Sequence, residues 1–203
     1  MKLLNPGYEN ETVGGSLYYN SKSGTCYNGQ TNATTSCNFT SSGIKNEETK
    51  NKIAEVTWNL GGWNSLYVSS DEAYTNERGT KVDSGRSTTW PGRIALPYPS
   101  DYGYATDFNK CMENLYNYDY ESSTNSYGCK NNDWMYPIIS SGWLLTPRYG
   151  YISNAGYVYP SGNVSSYSTY VDYGVAPVLY LSSEQVIEPG YGTSSNPYQL
   201  SGN

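Results

Sequence analysis

Two apolar runs, "WLLTP" at 143–147 and "GVAPVLYL" at 174–181, enclose a middle built mainly of Tyr, Ser, Asn, Gly and Asp. The runs have the length and residue types of buried strands, so the chain is constrained to carry a polar, ring-rich segment between two pieces of core. Within it, "AGYVYPSGNVSSY" predicts a hairpin, with Val158 and Val164 on one side of a ribbon and Pro160-Ser161-Gly162-Asn163 as its turn. Side chains alternate along a strand, so Tyr157 and Tyr159 share the face opposite Val158. Eight tyrosines lie between Arg148 and Tyr180. Tyr gives a large, rigid contact with a polar tip, and Ser, Gly and Asn add adaptable hydrogen bonding, the mixture found in evolved binding loops.

Whether such a chain can build a core at all is a question of composition. Leu, Ile, Val and Phe make up about 15% of the 203 residues, a level that raises disorder. Disorder normally also needs high net charge and few rings, whereas this chain has a net charge of −6, 24 Tyr and 5 Trp. Aromatic rings bury on the order of 150–250 Å² each, enough to replace missing aliphatics. The expectation is one folded domain over 1–203, with a polar, Cys-containing N-terminal extension at 1–42 and scaffold strands at 143–181 around the binding segment. Two helices are predicted. "IKNEETKNKIAEVTWNLGG" has acidic residues at its start and a Gly-Gly stop, and "ATDFNKCMENLYNYD" spaces Phe108, Cys111, Met112 and Leu115 as an amphipathic stripe. "RIALPYP" at 93–99 and the tail "SSEQVIEPGYGTSSNPYQL" read as short strands and turns. The class is α+β, with two helices and many short, mostly antiparallel strands.

Several chemistries are excluded or unsupported. The twelve Lys and Arg are scattered, never two adjacent, unlike the clustered basic patch of a nucleic-acid binder. No apolar stretch approaches a membrane span, and "MKLLNPGYEN" is too short and too quickly polar for a signal peptide. Without histidine there is no Ser-His-Asp triad, Cys-His pair or histidine metal site. Glu47/Glu48 and Asp71/Glu72 read as solvated helix-start and turn residues, and "GYGTSS" lacks the Lys of a phosphate loop. No cofactor or metal is implied, and the sequence does not argue for an enzyme. Of the three pairings open to Cys26, Cys37, Cys111 and Cys129, Cys26–Cys37 and Cys111–Cys129 are favoured because each clips a polar loop, which places the protein outside the cytosol.

"WLLTP", "AGYVYPSGNV" and "YGVAPVLYL" together resemble the end of a bacterial C-type-lectin-fold domain of the group related to the formylglycine-generating enzyme. There a W-x-L-x-S/T-P strand precedes an A-x-x-V-x-x-x-G hairpin, and a G-V-R-P-V strand closes the domain. The resemblance covers about 40 residues. The upstream part, from "SLYYNSKSGTCYNG", is more loosely similar to Tyr-rich pilin-like surface proteins. The fold serves the variable proteins of diversity-generating retroelements, in which adenine randomisation turns Asn codons into Tyr, Ser, Asp, Gly or Asn. That mixture fills 148–173, so the resemblance implies invariant scaffold strands around a diversified surface. Ala176 stands where the family often has Arg. The motifs of calcium-dependent sugar binding are missing, and the oxidase's reactive cysteine pair has no counterpart in the C-terminal half, so neither activity carries over.

The resulting expectation is an exported, non-enzymatic adhesin domain, extracellular or on a bacterial cell surface, that binds a protein or glycan on another cell or host. Its candidate ligand-binding residues are Tyr149, Tyr151, Ser153, Asn154, Tyr159, Asn163, Ser166, Tyr167, Tyr170, Asp172 and Tyr173. The alternative is a structural pilin-like filament subunit whose tyrosines pack against other subunits, because Tyr enrichment runs the length of the chain.

Overall fold

The computed structural model describes residues 44, 46–65, 67–111, 114–119, 128–169, 171–193 and 195–201. In chain order the elements are α1 (Glu47–Asn51), β1 (Val56–Asn59), α2 (Ser70–Glu77), β2 (Thr89–Gly92), β3 (Ile94–Ala95) and α3 (Pro99–Tyr104). They continue with α4 (Tyr136–Ile139), β4 (Gly142–Pro147), β5 (Asn154–Val158), β6 (Val164–Ser168), β7 (Val178–Leu179), β8 (Val186–Glu188) and β9 (Gln199–Ser201). The strands form four small antiparallel sheets, β1–β2, β3–β7, β4–β5–β6 and β8–β9. The described residues are thus α+β, with short helices and short strands. The extension at 1–42 and the Cys26–Cys37 pair lie outside them.

Neither predicted helix forms as expected. The first stops at Asn51, and Val56–Asn59 becomes β1, paired with β2 in the register Trp58↔Trp90. Val, Thr and Trp fit a half-buried pleated strand better than a helix, and Trp58 gains a buried indole hydrogen bond to the Gly92 carbonyl at 2.9 Å. In the second, the Asp107 carboxylate accepts the Asn109 amide at 3.0 Å, a local bond that competes with helix propagation. The Leu115 amide bonds to the Val68 carbonyl at 2.9 Å instead of a carbonyl one turn earlier. Phe108 therefore stands 47% exposed while Cys111 and Leu115 are buried.

The helices that do form were harder to see. At α2, Ser69 and Glu72 make a capping box, but its buried residues are Ser70, Ala73 and Glu77, which leave no apolar stripe. At α3, Pro99 sits in the first turn, where a missing N–H is harmless. "GVAPVLYL" yields only the two-residue β7, and Val175, Leu179 and Tyr180 are exposed instead of buried.

Tyrosines do the work of the missing aliphatics. The main core packs Trp63, Tyr102, Leu115 and Tyr118 against the Cys111–Cys129 disulfide and the inner side of β4–β6, represented by Leu144, Val158 and Val164. A smaller cluster joins Trp58, Ala95 and Tyr98. Three buried phenols each find a carbonyl acceptor: Tyr102 donates to Gly162 at 2.7 Å, Tyr118 to Gly103 at 3.3 Å and Tyr98 to Asn59 at 3.0 Å. Burial of these three rings then leaves their hydroxyls satisfied, the condition for a polar-tipped core to be stable.

The hairpin forms as its sequence predicts, with Val158 opposite Val164 and Tyr157 opposite Ser165. Tyr159 donates its amide to the Asn163 carbonyl at 2.9 Å, and Gly162 closes the turn onto Tyr159 at 2.8 Å. Gly162 has φ +105°, and a Cβ there would lie 2.8 Å from the Lys130 Cβ. Gly162→Ala is expected to lower stability by about 1–3 kcal/mol, read as a reduced urea midpoint with an unchanged slope.

Candidate ligand-binding face

Burial alternates strictly along β4: Gly142, Leu144 and Thr146 point into the core, while Trp143, Leu145 and Pro147 point out. The register Trp143↔Tyr157↔Ser165 carries this alternation across the sheet, so the outer positions are Trp143, Leu145, Ala155, Tyr157, Ser165 and Tyr167. None is charged. Between Trp143 and Pro147 the pairing with β5 shifts, and the Leu145 amide turns to the Pro97 carbonyl at 2.9 Å. Leu145 thereby packs against the Trp58 cluster, which covers one side of the outer face. The other side holds the rings.

The chain after β6 returns along the opposite edge, where Gly174 bridges Gly142 and accepts the Trp143 amide at 2.9 Å. This return sets Tyr173 over the sheet. Its ring stacks on Tyr157 with centroids 4.0 Å apart and meets Trp143 and Tyr167 nearly edge-on at 5.2 and 5.6 Å. Tyr159 contacts Tyr157 edge-on at 4.8 Å. Tyr157 is the hub, only 2% exposed, and burial pushes its hydroxyl up to about 12, so it stays neutral. Tyr167 is 39% exposed, and Tyr159, Tyr173 and Trp143 are half-buried.

The predicted residues thus divide into groups. Tyr159, Tyr167 and Tyr173 come together on the outer face. Tyr149 and Tyr151 are exposed in the β4–β5 turn, where the Tyr149 amide bonds to Trp63 and the Tyr151 ring lies 3.9 Å from the Arg148 guanidinium. Ser153 is exposed and Asn154 half-buried, its side-chain oxygen accepting from Ser153 and Ser168. Asp172 is exposed. Asn163 and Ser166 are buried and do not join the face. Asn163 serves the hairpin turn through Ser161, and Ser166 takes a bond from Arg148 at 3.2 Å. Tyr170 lies outside the described residues. Trp143 and Tyr157 were absent from the predicted set. Tyr157's signal was its two-residue spacing from Tyr159, while Trp143's role depends on the strand register.

Buried acids lie elsewhere. The Glu77 carboxylate accepts the Ser100 amide at 2.9 Å and the Ser100 hydroxyl at the start of α3. Asp133 accepts the amides of Met135 and Tyr136 at the start of α4. Burial raises their pKa values to about 7 and about 6 respectively. Both are occupied with helix starts, at separate places in the fold. Among the described residues no group of three or more Cys, Asp or Glu is placed to hold a metal, and no helix is long and apolar enough to cross a membrane.

The class these features define is an α+β domain with an open, uncharged aromatic sheet face. Comparison of the chain with protein-family models, curated proteins and solved structures finds no match in any of the three.

Proposed function

We propose that this chain is an exported bacterial binding domain of the C-type-lectin-like fold, which presents its ring cluster to a protein or glycan on another cell or host surface. The observation that carries the reading is the grouping of Trp143, Tyr157, Tyr159, Tyr167 and Tyr173 on one side of β4–β6, with no charge at the outward strand positions. Rings held by one another have little freedom left to lose on binding, which favours affinity. Tyr and Trp are also the residue types most often dominant in binding energy. The Tyr, Ser, Asn and Asp mixture of 148–173 supports diversification by a retroelement as the source of the surface.

The test is binding to panels of host cells, proteins and glycans by the native protein and by Tyr159→Ala/Tyr167→Ala. The double variant is expected to keep its thermal transition within a few degrees and to lose at least tenfold in affinity, about 1.4 kcal/mol. Undiminished binding by the variant would remove the face from the reading. In the gene, codons for Tyr149, Tyr159, Tyr167 and Tyr173 are expected to align with adenine-containing codons of a nearby template copy, and those for Trp143 and Pro177 to be identical to it. A neighbourhood with neither template nor reverse transcriptase defeats diversification alone.

A second reading has its own observation. Exposed rings also occur away from the face, at Tyr67, Tyr74, Tyr104, Trp134, Tyr191 and Tyr198, as a filament subunit packed through tyrosines would need. Electron microscopy of the native assembly separates the two: the β4–β6 face is open to solvent in a displayed binder and buried between neighbours in a polymer.

A further inference from the structure

We infer that the β4–β5 turn carries a carboxylate-binding site built on Arg148, separate from the ring cluster. Arg148 continues the inward series Leu144, Thr146, and its Nη1 reaches the Ser166 hydroxyl on the inner side of β6 at 3.2 Å. It therefore lies on the opposite side of the sheet from Tyr157 and Tyr167, just past the end of β4. The site does not depend on the ring cluster binding anything.

The backbone around Arg148 is fixed on several sides. Its amide bonds to the Asn154 carbonyl at 3.0 Å, it bridges Trp63, and the Gly150 amide is held by Asp83 at 3.0 Å. The guanidinium lies 3.9 Å from the Tyr151 ring centroid. Cation and ring attract at this distance, so the planar head is held in place before any ligand arrives.

What the head lacks is a counter-charge. Arg93, by contrast, faces Glu55 at 3.9 Å. Among the described residues no carboxylate lies within 4.0 Å of Arg148, although the residue is half-buried. Its Nε–H is buried with no acceptor, and the same holds for the Trp63 indole N–H and the Thr146 hydroxyl. Thr146 lies in β4, Arg148 follows two residues on just past the strand's end, and Trp63 pairs with Arg148, so three unmet donors belong to one neighbourhood. A buried donor without a partner is costly, and a partly buried charge more so. Neutral acceptors satisfy the indole and the hydroxyl but leave the positive charge uncompensated. One cation calls for a singly charged acceptor, and the planar guanidinium fork matches a carboxylate's two oxygens. Beside Arg148 the rings of Tyr149 and Tyr151 are exposed.

The probe is sodium acetate, titrated against sodium chloride at matched ionic strength, with the Arg148 Nε–H and Trp63 Nε1–H resonances followed by NMR. The expected result is one saturable curve shared by both resonances with acetate and absent with chloride. Arg148→Gln abolishes it while the remaining amide spectrum is preserved. Arg148→Lys keeps the charge without the fork and weakens binding about tenfold. Glucuronate and N-acetylglutamate then distinguish sources: tighter binding of the first identifies a sugar acid, and of the second an acidic peptide. A response linear in acetate, equal for chloride, or retained in Arg148→Gln overturns the site.

Discussion

Glu77 alone lowers the unfolding free energy of this protein by about 3 kcal/mol as pH rises from about 4.5 to 7, and Glu77→Gln removes that part of the fall. The carboxyl is 1% exposed. Burial pushes its pKa from an ordinary 4.5 up to about 7, with Asp101 acting in the same direction and the Ser100 hydrogen bonds and Arg78 opposing. In the unfolded chain the group ionises near 4.5, whereas the folded protein retains the proton until about pH 7. The favourable contribution is therefore complete below the unfolded value and is lost as pH passes the folded one. Gln imitates the protonated acid: its oxygen still accepts the Ser100 amide, and its nitrogen can donate to the Ser100 hydroxyl. The variant is expected to match the native protein near pH 4.5 and to exceed it by about 3 kcal/mol near pH 8. Asp133, raised from 3.8 to about 6, adds a second, overlapping fall that remains in the variant, so the Glu77 contribution is the difference between the two pH profiles. Urea unfolding of both proteins across this range is the measurement, and superimposable pH profiles would rule out a role for Glu77.

Glu77 also illustrates what a sequence conceals. In the sequence it is one acid in "DEAYTNERG", and nothing there says that the end of α2 meets the start of α3. The β5–β6 hairpin was legible because two-residue alternation, β-branched residues and a Gly-containing turn all gave the same reading. The first helix ends early because its acidic residues give a genuine helix start, while the continuation "EVTWN" is decided by pairing with residues 30 or more positions away. α2 has a legible cap but no stripe, so periodicity passes over it. For the binding face, composition located the segment but not its geometry. Which tyrosines meet depends on the bulge in β4 and on Gly174 returning to Gly142. That return makes Tyr173 and Tyr157 neighbours and leaves Tyr149 and Tyr151 in the turn. Arg148 offered no signal at all, since the absence of a counter-charge is visible only when all its neighbours are in place.

Replacing Cys111 and Cys129 by Ala is expected to cost about 3 kcal/mol, the value for closing a loop of this size. For a chain of this length it corresponds to a drop of roughly 6–12 °C in Tm. The two residues are 18 apart in sequence, their Cα atoms lie 5.1 Å apart, and both are buried in the main core. The bond joins the chain before the Leu115 turn to the segment that leads into α4. Around it, the Cys111 amide bonds to Asp107 and the Cys129 carbonyl accepts the Asn132 amide. With so few aliphatics, the core relies on rings whose contacts require these segments to stay together, so the cross-link is a large part of a net stability of about 5–15 kcal/mol. The double variant isolates this bond, whereas a reductant would act on any Cys26–Cys37 bond as well. Calorimetry of the native protein, the variant and the reduced native protein then gives an ordered series. The native form melts highest, the variant lower, and the reduced protein at or below the variant. Peptide mapping under non-reducing conditions links the series to the proposed location. A protein with this bond oxidised fits the extracellular space, while a native sample with both thiols free and the variant's Tm would remove the bond and the argument for export together.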